Sequence, residues 1–272
     1  MESKRILYVS QEIHPYLPEN EISRPSLEMP KKMNEKGHQV RVFMPRFGLI
    51  NERRHQLHEV IRLSGINVIV NDMDQPLIIK VASVPQARMQ VYFIDNEEYF
   101  KRKALFTDEN DQLYGDNDQR ALFFCRGVIE TVRKLSWSPD IIHCHGWMAS
   151  FLPLYIKRFF ADDPLFSNTK TVLSLYKSPE GPVGNNLIDT LKFDGVKGKD
   201  LEAYKENTIP SALKAAMAFT DGVVNGSPDT QPELLAHAQK EVPHFLDLSP
   251  SDKQAADVHA LYEQIAVEES VA

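Results

Sequence analysis

His143, Cys144 and His145 are consecutive residues whose side chains all belong to types that bind metal ions. Neighbouring residues of an extended strand point to opposite faces of a sheet, so only the two histidines would share a side. A zinc site takes four protein ligands, or three and a water molecule, and the sequence offers no third ligand at a suitable spacing. We therefore predict no metal site. Two interpretations of His145 stay open, a hydrogen-bonded structural residue and a functional one.

Glu19 and Glu21 lie two residues apart and have the chemistry of an acid–base pair. Carboxylates at alternate positions of a surface loop are usually only solvated, which favours a non-catalytic interpretation. Gly195 and Gly198 do not complete the G-x-G-x-x-G pattern of a dinucleotide site, and the sequence contains no Walker-type loop. The residues themselves thus predict no cofactor.

The N-terminal residues show an order of strand, helix and strand. An apolar run at 5–10 and an alternating run at 39–44 indicate the strands. Between them, Ser23 and Pro25 are typical of a helix start, and Gly37 is typical of the residue that follows a helix end near Lys36. A β-rich insertion is predicted next, at about 58–95, where runs rich in valine and isoleucine alternate with turn-like residues. These runs are 60–71, 76–84 and 89–95, with turns at Asn71-Asp72 and Pro85-Gln86.

The rest of the chain alternates between strand and helix patterns, which predicts an α/β fold. Helices are expected at 118–135, 147–160, 209–219, 228–240 and 252–267, and strands at 140–144, 171–175 and 222–225. A long functional loop, with room for one short helix, is expected at 176–199. We predict a Rossmann-like, doubly wound parallel sheet that occupies residues 1–245, with 246–272 as a C-terminal helix packing back on it. Ligands of such sheets bind beyond the carboxyl ends of the strands, here in the loops after Ser10, Asp95, Cys144 and Leu175.

Composition narrows the classes of partner. The net charge of −7 and the isoelectric point of about 5.7 disfavour binding to nucleic acid or to an anionic membrane. No apolar run approaches the roughly 20 residues of a membrane helix. The two cysteines, Cys125 and Cys144, read as core residues and suit a reducing compartment, so we expect a cytoplasmic protein.

Three regions of the sequence resemble a known family. They are the run 91–96 with Tyr99-Phe100, Arg102, Tyr114, Asp116-Asn117 and Arg120; the run 137–147; and the helix 211–219 with Asp221-Gly222-Val223 and Ser227-Pro228. In this order they resemble glycosyltransferase family 5, the bacterial glycogen synthases and plant starch synthases, from about residue 4 to residue 240.

The resemblance implies a fold and an activity. Members of this family transfer glucose from ADP-glucose to the non-reducing end of an α-1,4-glucan, in a cleft between the two Rossmann-like domains of the GT-B fold. The N-terminal domain holds the acceptor glucan, and the second domain supplies most contacts to the nucleotide sugar. The chain is therefore expected to be the N-terminal half of a GT-B fold, ending before the second domain.

The sequence departs from the family at the positions where ligands bind. Pro18, Glu19, Asn20 and Glu21 stand where the family has lysine–threonine–glycine–glycine. Gly146 replaces an aspartate, Met148 replaces a histidine, and Tyr176-Lys177 replaces histidine–asparagine. We predict that the chain alone is not a competent ADP-glucose:glucan transferase. The competing hypotheses are that a second polypeptide supplies the missing domain, and that the donor differs.

Several residues of the expected cleft keep two interpretations. Asp95, Asn117 and Arg120 match the family and either touch the substrate or stabilise the insertion. Lys177 and Glu180 are candidates for an adaptable binding surface. Aromatic side chains that could stack on sugar rings, if they are exposed, are Tyr16, Trp147 and Tyr176.

The sequence leaves three kinds of partner. An α-glucan or a nucleotide sugar follows from the resemblance. A protein partner, or a second copy of the chain, would fit if the rim of the cleft at 18–22 and 176–185 left Ile22, Met148 and Tyr176 accessible. In that case a glucan-binding or regulatory role is the alternative to catalysis.

Overall fold

Strands and helices alternate along the computed structural model, which describes residues 3–84, 87, 89–249 and 254–267. The strands are β1 (Arg5–Ser10), β2 (Gln39–Pro45), β3 (His58–Glu59), β4 (Ile66–Val70), β5 (Met73–Ser83), β6 (Gln90–Asp95), β7 (Ile141–His145), β8 (Lys170–Leu175), β9 (Gly222–Asn225) and β10 (His244–Asp247). The helices are α1 (Pro25–Glu35), α2 (Glu97–Phe100), α3 (Asn117–Lys134), α4 (Leu152–Phe159), α5 (Leu187–Phe193), α6 (Gly198–Glu202), α7 (Ile209–Met217), α8 (Pro232–Glu241) and α9 (Gln254–Val267), with a 3-10 turn at Trp147–Phe151 before α4.

The strands form a mainly parallel sheet in the order β10-β9-β8-β7-β1-β2-β6-β5-β3, and β4 pairs with β5 beside this path. In this order, each strand from β10 to β6 is parallel to its neighbours up to β6. Strand β5 is antiparallel to its three partners, β6, β4 and β3. The order of the strands reverses between β1 and β7, and this is where ligands bind in doubly wound sheets. The α/β, Rossmann-like prediction with a β-rich insertion is confirmed.

Local signals explain most boundaries. Gly37 has a φ of 92° just after α1, and Asn71 and Asp72 have positive φ in the turn between β4 and β5. The predicted turn at Pro85-Gln86 and the predicted helix residues 252–253 lie outside the described residues.

Several details differ from the sequence prediction. The predicted loop at 176–199 contains the whole of α5 and the start of α6. Helix α8 begins at Pro232 rather than at 228, because Ser227 forms a turn in which its hydroxyl accepts from the backbone N–H of Asp229 at 3.1 Å. Residues Trp147–Phe151 form a 3-10 turn before the α-helix. The edge strands β3 and β10 were not predicted, since a short, partly exposed strand has no strong pattern of its own.

Helix α9 packs on the sheet and on α1. Its side chains Val258, Leu261, Tyr262 and Ile265 are buried. A Cβ atom at Gly222 of β9 would lie 2.8 Å from Cδ1 of Ile265, so the helix lies close against the strand. Within the described part of the chain, no helix is long and apolar enough to cross a membrane. The division of the chain after residue 245 stays a prediction.

Candidate cleft at the carboxyl ends of the strands

The loops that follow β1 and β7 leave the sheet side by side. Gln11 comes directly after β1, and its backbone N–H donates to the carbonyl oxygen of His145 at 3.2 Å. Gly146 follows β7 with a φ of 83°, a left-handed conformation that favours glycine. These two loops form the floor of the crevice at the reversal of strand order.

The side chain of Gln11 fills the space in front of Gly146. A Cβ atom at Gly146 would lie 2.4 Å from Cδ and Oε1 of Gln11. The Oε1 atom of Gln11 accepts a hydrogen bond from the backbone N–H of Met148 at 3.2 Å, which holds the amide in this position. An acidic side chain at position 146 therefore has no room in this arrangement.

The loop after β1 contains four exposed residues, Pro18, Glu19, Asn20 and Glu21. Two of their side chains form hydrogen bonds that connect the two sides of the crevice. The amide of Asn20 donates to the buried Glu12 at 2.6 Å. The hydroxyl of Ser227, after β9, donates to Oε2 of Glu21 at 2.5 Å. This segment is thus acidic and is hydrogen-bonded to the loop after β9.

Tyr176 occupies the crevice above His145. Its hydroxyl lies 2.8 Å from Nδ1 of His145, and a Cβ atom at Gly226 would lie 2.5 Å from Cε1 of its ring. Burial lowers the pKa of His145 to about 3, and burial raises the pKa of the Tyr176 hydroxyl. His145 is therefore neutral at physiological pH, and its Nε2 atom is buried without a protein partner.

His143 belongs to a second buried polar group on the same side of the sheet. Its Nδ1 atom lies 2.6 Å from the hydroxyl of Tyr262, and its Nε2 atom lies 2.7 Å from that of Ser174. The rings of His143 and His145 are 4.2 Å apart, as expected for alternate strand residues. Burial, and secondarily the neighbouring His145, hold the pKa of His143 well below its usual range. The described residues contain no group of three side chains placed to bind a metal ion.

The aromatic residues considered for stacking on sugars are not accessible. Tyr16, Trp147 and Tyr176 are each at most 4% exposed. Tyr16 packs edge-on against Phe93, and Trp147 packs against Phe106. The condition on which their stacking role depended is not met, because these rings complete the core beneath the loops.

The rim of the crevice also offers little apolar surface. Ile22 and Met148 are buried along with Tyr176, whereas Lys177 is exposed. The condition under which a protein partner would bind here, accessible side chains of Ile22, Met148 and Tyr176, is therefore not met.

Asp95, Asn117 and Arg120 make internal contacts. Asp95 lies 3.0 Å from Nε of Arg46 and 3.0 Å from Nζ of Lys80. Arg120 is fully buried and donates from Nε to the carbonyl oxygen of Tyr99 at 2.7 Å and from Nη1 to Oδ1 of Asn117 at 2.5 Å. These contacts connect the insertion, α2 and α3, which favours the stabilising interpretation over contact with substrate.

A cavity that the sequence did not indicate lies on the flank of the domain. It has a volume of about 310 Å³ and is lined mainly by apolar and aromatic side chains, with charged groups among them. Ile69, Phe159 and Phe193 at this cavity are each more than 40% exposed. The lining comes from β4, α3, α4, α5 and residues that follow them, so no local pattern could have predicted it.

Comparison with known proteins shows which family this chain is similar to. A family model described as the starch synthase catalytic domain matches residues 5–246. The glycogen synthase of Chlorobium limicola is 42% identical over 174 residues, covering 63% of this chain and 35% of that protein. The glycogen synthase of Chlorobium phaeovibrioides is 38% identical over 238 residues, covering 86% of this chain and 48% of that protein.

A solved structure shows the same fold. The catalytic domain of Starch Synthase IV from Arabidopsis thaliana, bound to ADP and acarbose, superposes with a TM-score of 0.71 at 16% identity. The match covers 90% of this chain and 52% of that one, which agrees with the N-terminal half of a GT-B fold. The chain thus spans between about a third and a half of the length of these curated relatives. Because the family model matches most of its length, the chain belongs to the starch synthase catalytic domain family.

Proposed function

We propose that this chain is a non-catalytic member of the glycogen synthase family, a pseudoenzyme when it acts alone. The observation that carries the proposal is the filled crevice, where Gln11 and Tyr176 occupy space beside Gly146 and Gly226. A nucleotide sugar would have to displace these buried side chains and the hydrogen bonds that they make.

Electrostatics supports the same proposal. Pro18 stands where the resemblance places a lysine, and the carboxylates of Glu19 and Glu21 follow it in place of a threonine and a glycine. The buried Glu12 is hydrogen-bonded to this segment through Asn20. A diphosphate approaching this segment would be repelled by about 1 kcal/mol for each carboxylate at close range in water, and by more in a partly dry crevice. The lost lysine, aspartate and histidine would each have stabilised developing charge by about 2–4 kcal/mol if well placed.

We expect no transfer of radiolabelled glucose into glycogen when the pure protein is incubated with ADP-glucose or UDP-glucose. The glycogen synthase of Chlorobium limicola, assayed in parallel, provides the positive control. Clear turnover by the chain alone would contradict the proposal. Turnover only after addition of a second, purified polypeptide would favour the alternative in which another chain supplies the second domain.

A binding role is the second candidate, as a glucan-binding or regulatory subunit in glycogen metabolism. The observation that favours it is the aromatic lining of the flank cavity, where Phe159 is 41% and Phe193 is 49% exposed, whereas Tyr16, Trp147 and Tyr176 are buried. Exposed rings stack on the apolar faces of sugars, and a stacked aromatic contact contributes about 0.5–1.5 kcal/mol.

Electrophoresis in a native gel containing glycogen tests this role. We expect the protein to be retarded, and each of Phe159→Ala and Phe193→Ala to weaken the apparent affinity roughly twofold to tenfold through loss of a stacked ring. Ile61→Ala is the matched control, because Ile61 is 83% exposed but does not line the cavity. Unchanged mobility of the parent protein in glycogen would exclude glucan binding and leave a protein partner or a second copy as the ligand.

Two further parts of the proposal concern the cellular location of the protein and the bounds of its domain. The two free, buried thiols of Cys125 and Cys144 suit a reducing compartment, so we propose a cytoplasmic location. We also propose that residues 1–245 form the functional domain, with 246–272 packing on it.

A further inference from the structure

Two histidines far apart in the sequence meet where α9 lies on the domain. His38 stands between α1 and β2, and His259 lies in the middle of α9. Their Nε2 atoms are 3.0 Å apart, and both residues are buried. Lys4 and Glu263 form an ion pair at 3.8 Å beside them.

The hydrogen bonds at His38 determine which ring nitrogens carry protons. The backbone N–H of Lys4 donates to Nδ1 of His38 at 3.1 Å, so this nitrogen must be unprotonated. A neutral His38 then carries its proton on Nε2 and donates it to Nε2 of His259, which must accept. The contact is satisfied only when both imidazoles are neutral.

A proton on either ring breaks one of these hydrogen bonds. On His38 it would sit at Nδ1, opposite the N–H of Lys4. On His259 it would sit at Nε2, opposite the N–H of His38. Burial lowers the pKa of His38, and His259 lowers it further. Glu263 raises this pKa and opposes the effect, while Lys4 and Lys36 add to the lowering.

The other charged groups around the contact lie on both sides of α9. Lys32, Glu35 and Lys36 line the groove between α1 and the start of α9. Asp257 lies on the side that faces β10, next to His244. The carboxylate of Glu263 lies beside the two rings, where it forms its ion pair with Lys4.

We propose that the His38–His259 contact is a proton-sensitive latch that keeps α9 docked when both rings are neutral and weakens its docking below neutral pH. Release of α9 would remove Tyr262 from the hydroxyl of Tyr8 and from His143, and would uncover Gly222 of β9, which lies under Ile265. The latch thereby links acidification to exposure of one face of the sheet.

The sign follows from proton linkage. An undocked His38 titrates near the ordinary histidine pKa of about 6.5, and burial in the docked state lowers this pKa, so docking is favoured above that pH and weakens as the pH falls below it. Between pH 7.5 and 5.5, exclusion of one proton from His38 lowers the ratio of docked to undocked α9 by up to about tenfold.

Hydrogen–deuterium exchange measured by mass spectrometry tests the latch in the full chain, after correction for the intrinsic effect of pH on exchange. We expect protection of peptides from α9 to fall by up to about tenfold between pH 7.5 and 5.5, and peptides from β8 to stay protected. In the variant His38→Gln/His259→Gln, protection of α9 should become independent of pH over this range. The matched control His58→Gln, at an exposed histidine, should behave like the parent.

Two results would overturn the latch. One is an equal fall in protection for α9 and β8 in the parent, which would indicate global unfolding. The other is a parent-like pH dependence in the double variant. Should the glutamines prevent docking at pH 7.5, ¹⁵N chemical shifts of the parent's ring nitrogens decide instead. A cationic His38 in a molecule whose α9 is still protected refutes the proposal, and joint protonation and release support it.

Discussion

Replacement of Arg120 by alanine is expected to lower the free energy of unfolding by about 3–5 kcal/mol. Arg120 is the bulkiest of the fully buried side chains, and its guanidinium lies 5.3–5.7 Å from the ring centroids of Phe47, Phe100 and Tyr114. Its removal leaves a cavity and takes away the donors for the Tyr99 carbonyl and for Asn117. Loss of a large core side chain costs about 2–5 kcal/mol, and each buried acceptor without a partner costs about 1–3 kcal/mol.

Urea denaturation at pH 7 measures this effect and separates its parts. Burial lowers the pKa of Arg120 to about 10, and Arg102 contributes while Asp116 opposes, so the side chain is charged at this pH. Arg120→Met keeps most of the volume but none of the donors, and should cost about half as much as alanine. Arg133→Ala, on the half-exposed side of the same helix, is the control and should cost less than about 1 kcal/mol. A loss below 1 kcal/mol for Arg120→Ala would show that these contacts contribute little to stability.

The sequence predicted the fold because its signals are local. The helix α3 starts one residue before its predicted first residue, and the strand β9 has its predicted bounds at 222–225. Apolar periodicity and residues such as Gly37 act within a few positions of the elements that they define. The edge strand β10 depends on pairing with β9, and the helix start at Pro232 depends on the turn made by Ser227. No local sequence pattern predicts either feature.

The sequence predicted which loops meet at the crevice, but it did not predict which side chains fill it. The carboxyl ends of β1, β7 and β8 do bring Gln11, Gly146 and Tyr176 together, as the topology requires. The sequence alone could not indicate that Tyr176 turns inward onto His145, nor that Trp147 is buried, since the orientation of an aromatic ring depends on packing from several elements. The contact of His38 with His259 spans 221 positions and is visible only in the folded chain.

Replacement of Gly146 by aspartate, the residue type that the family resemblance places there, is expected to destabilise the protein rather than restore a ligand site. A non-glycine residue at a φ of 83° costs about 1–3 kcal/mol. A Cβ atom 2.4 Å from Gln11 adds an overpacking cost of about 1–3 kcal/mol, because the Gln11 amide is held by the Met148 N–H. We expect a total loss of about 2–6 kcal/mol in urea denaturation, and still no transfer of glucose from ADP-glucose.

A double-mutant cycle separates the two causes. Gln11→Ala opens the space in front of position 146, so Gly146→Asp in that background should cost about 1–2 kcal/mol less than in the parent. The remaining loss reports the backbone conformation and should also appear in Gly146→Ala combined with Gln11→Ala. Equal costs of Gly146→Asp in the two backgrounds would mean that Gln11 does not occupy the crevice in solution. In that event the filled crevice would no longer support a non-catalytic role. Binding of ADP-glucose to the Gly146→Asp variant would then be the measurement that decides.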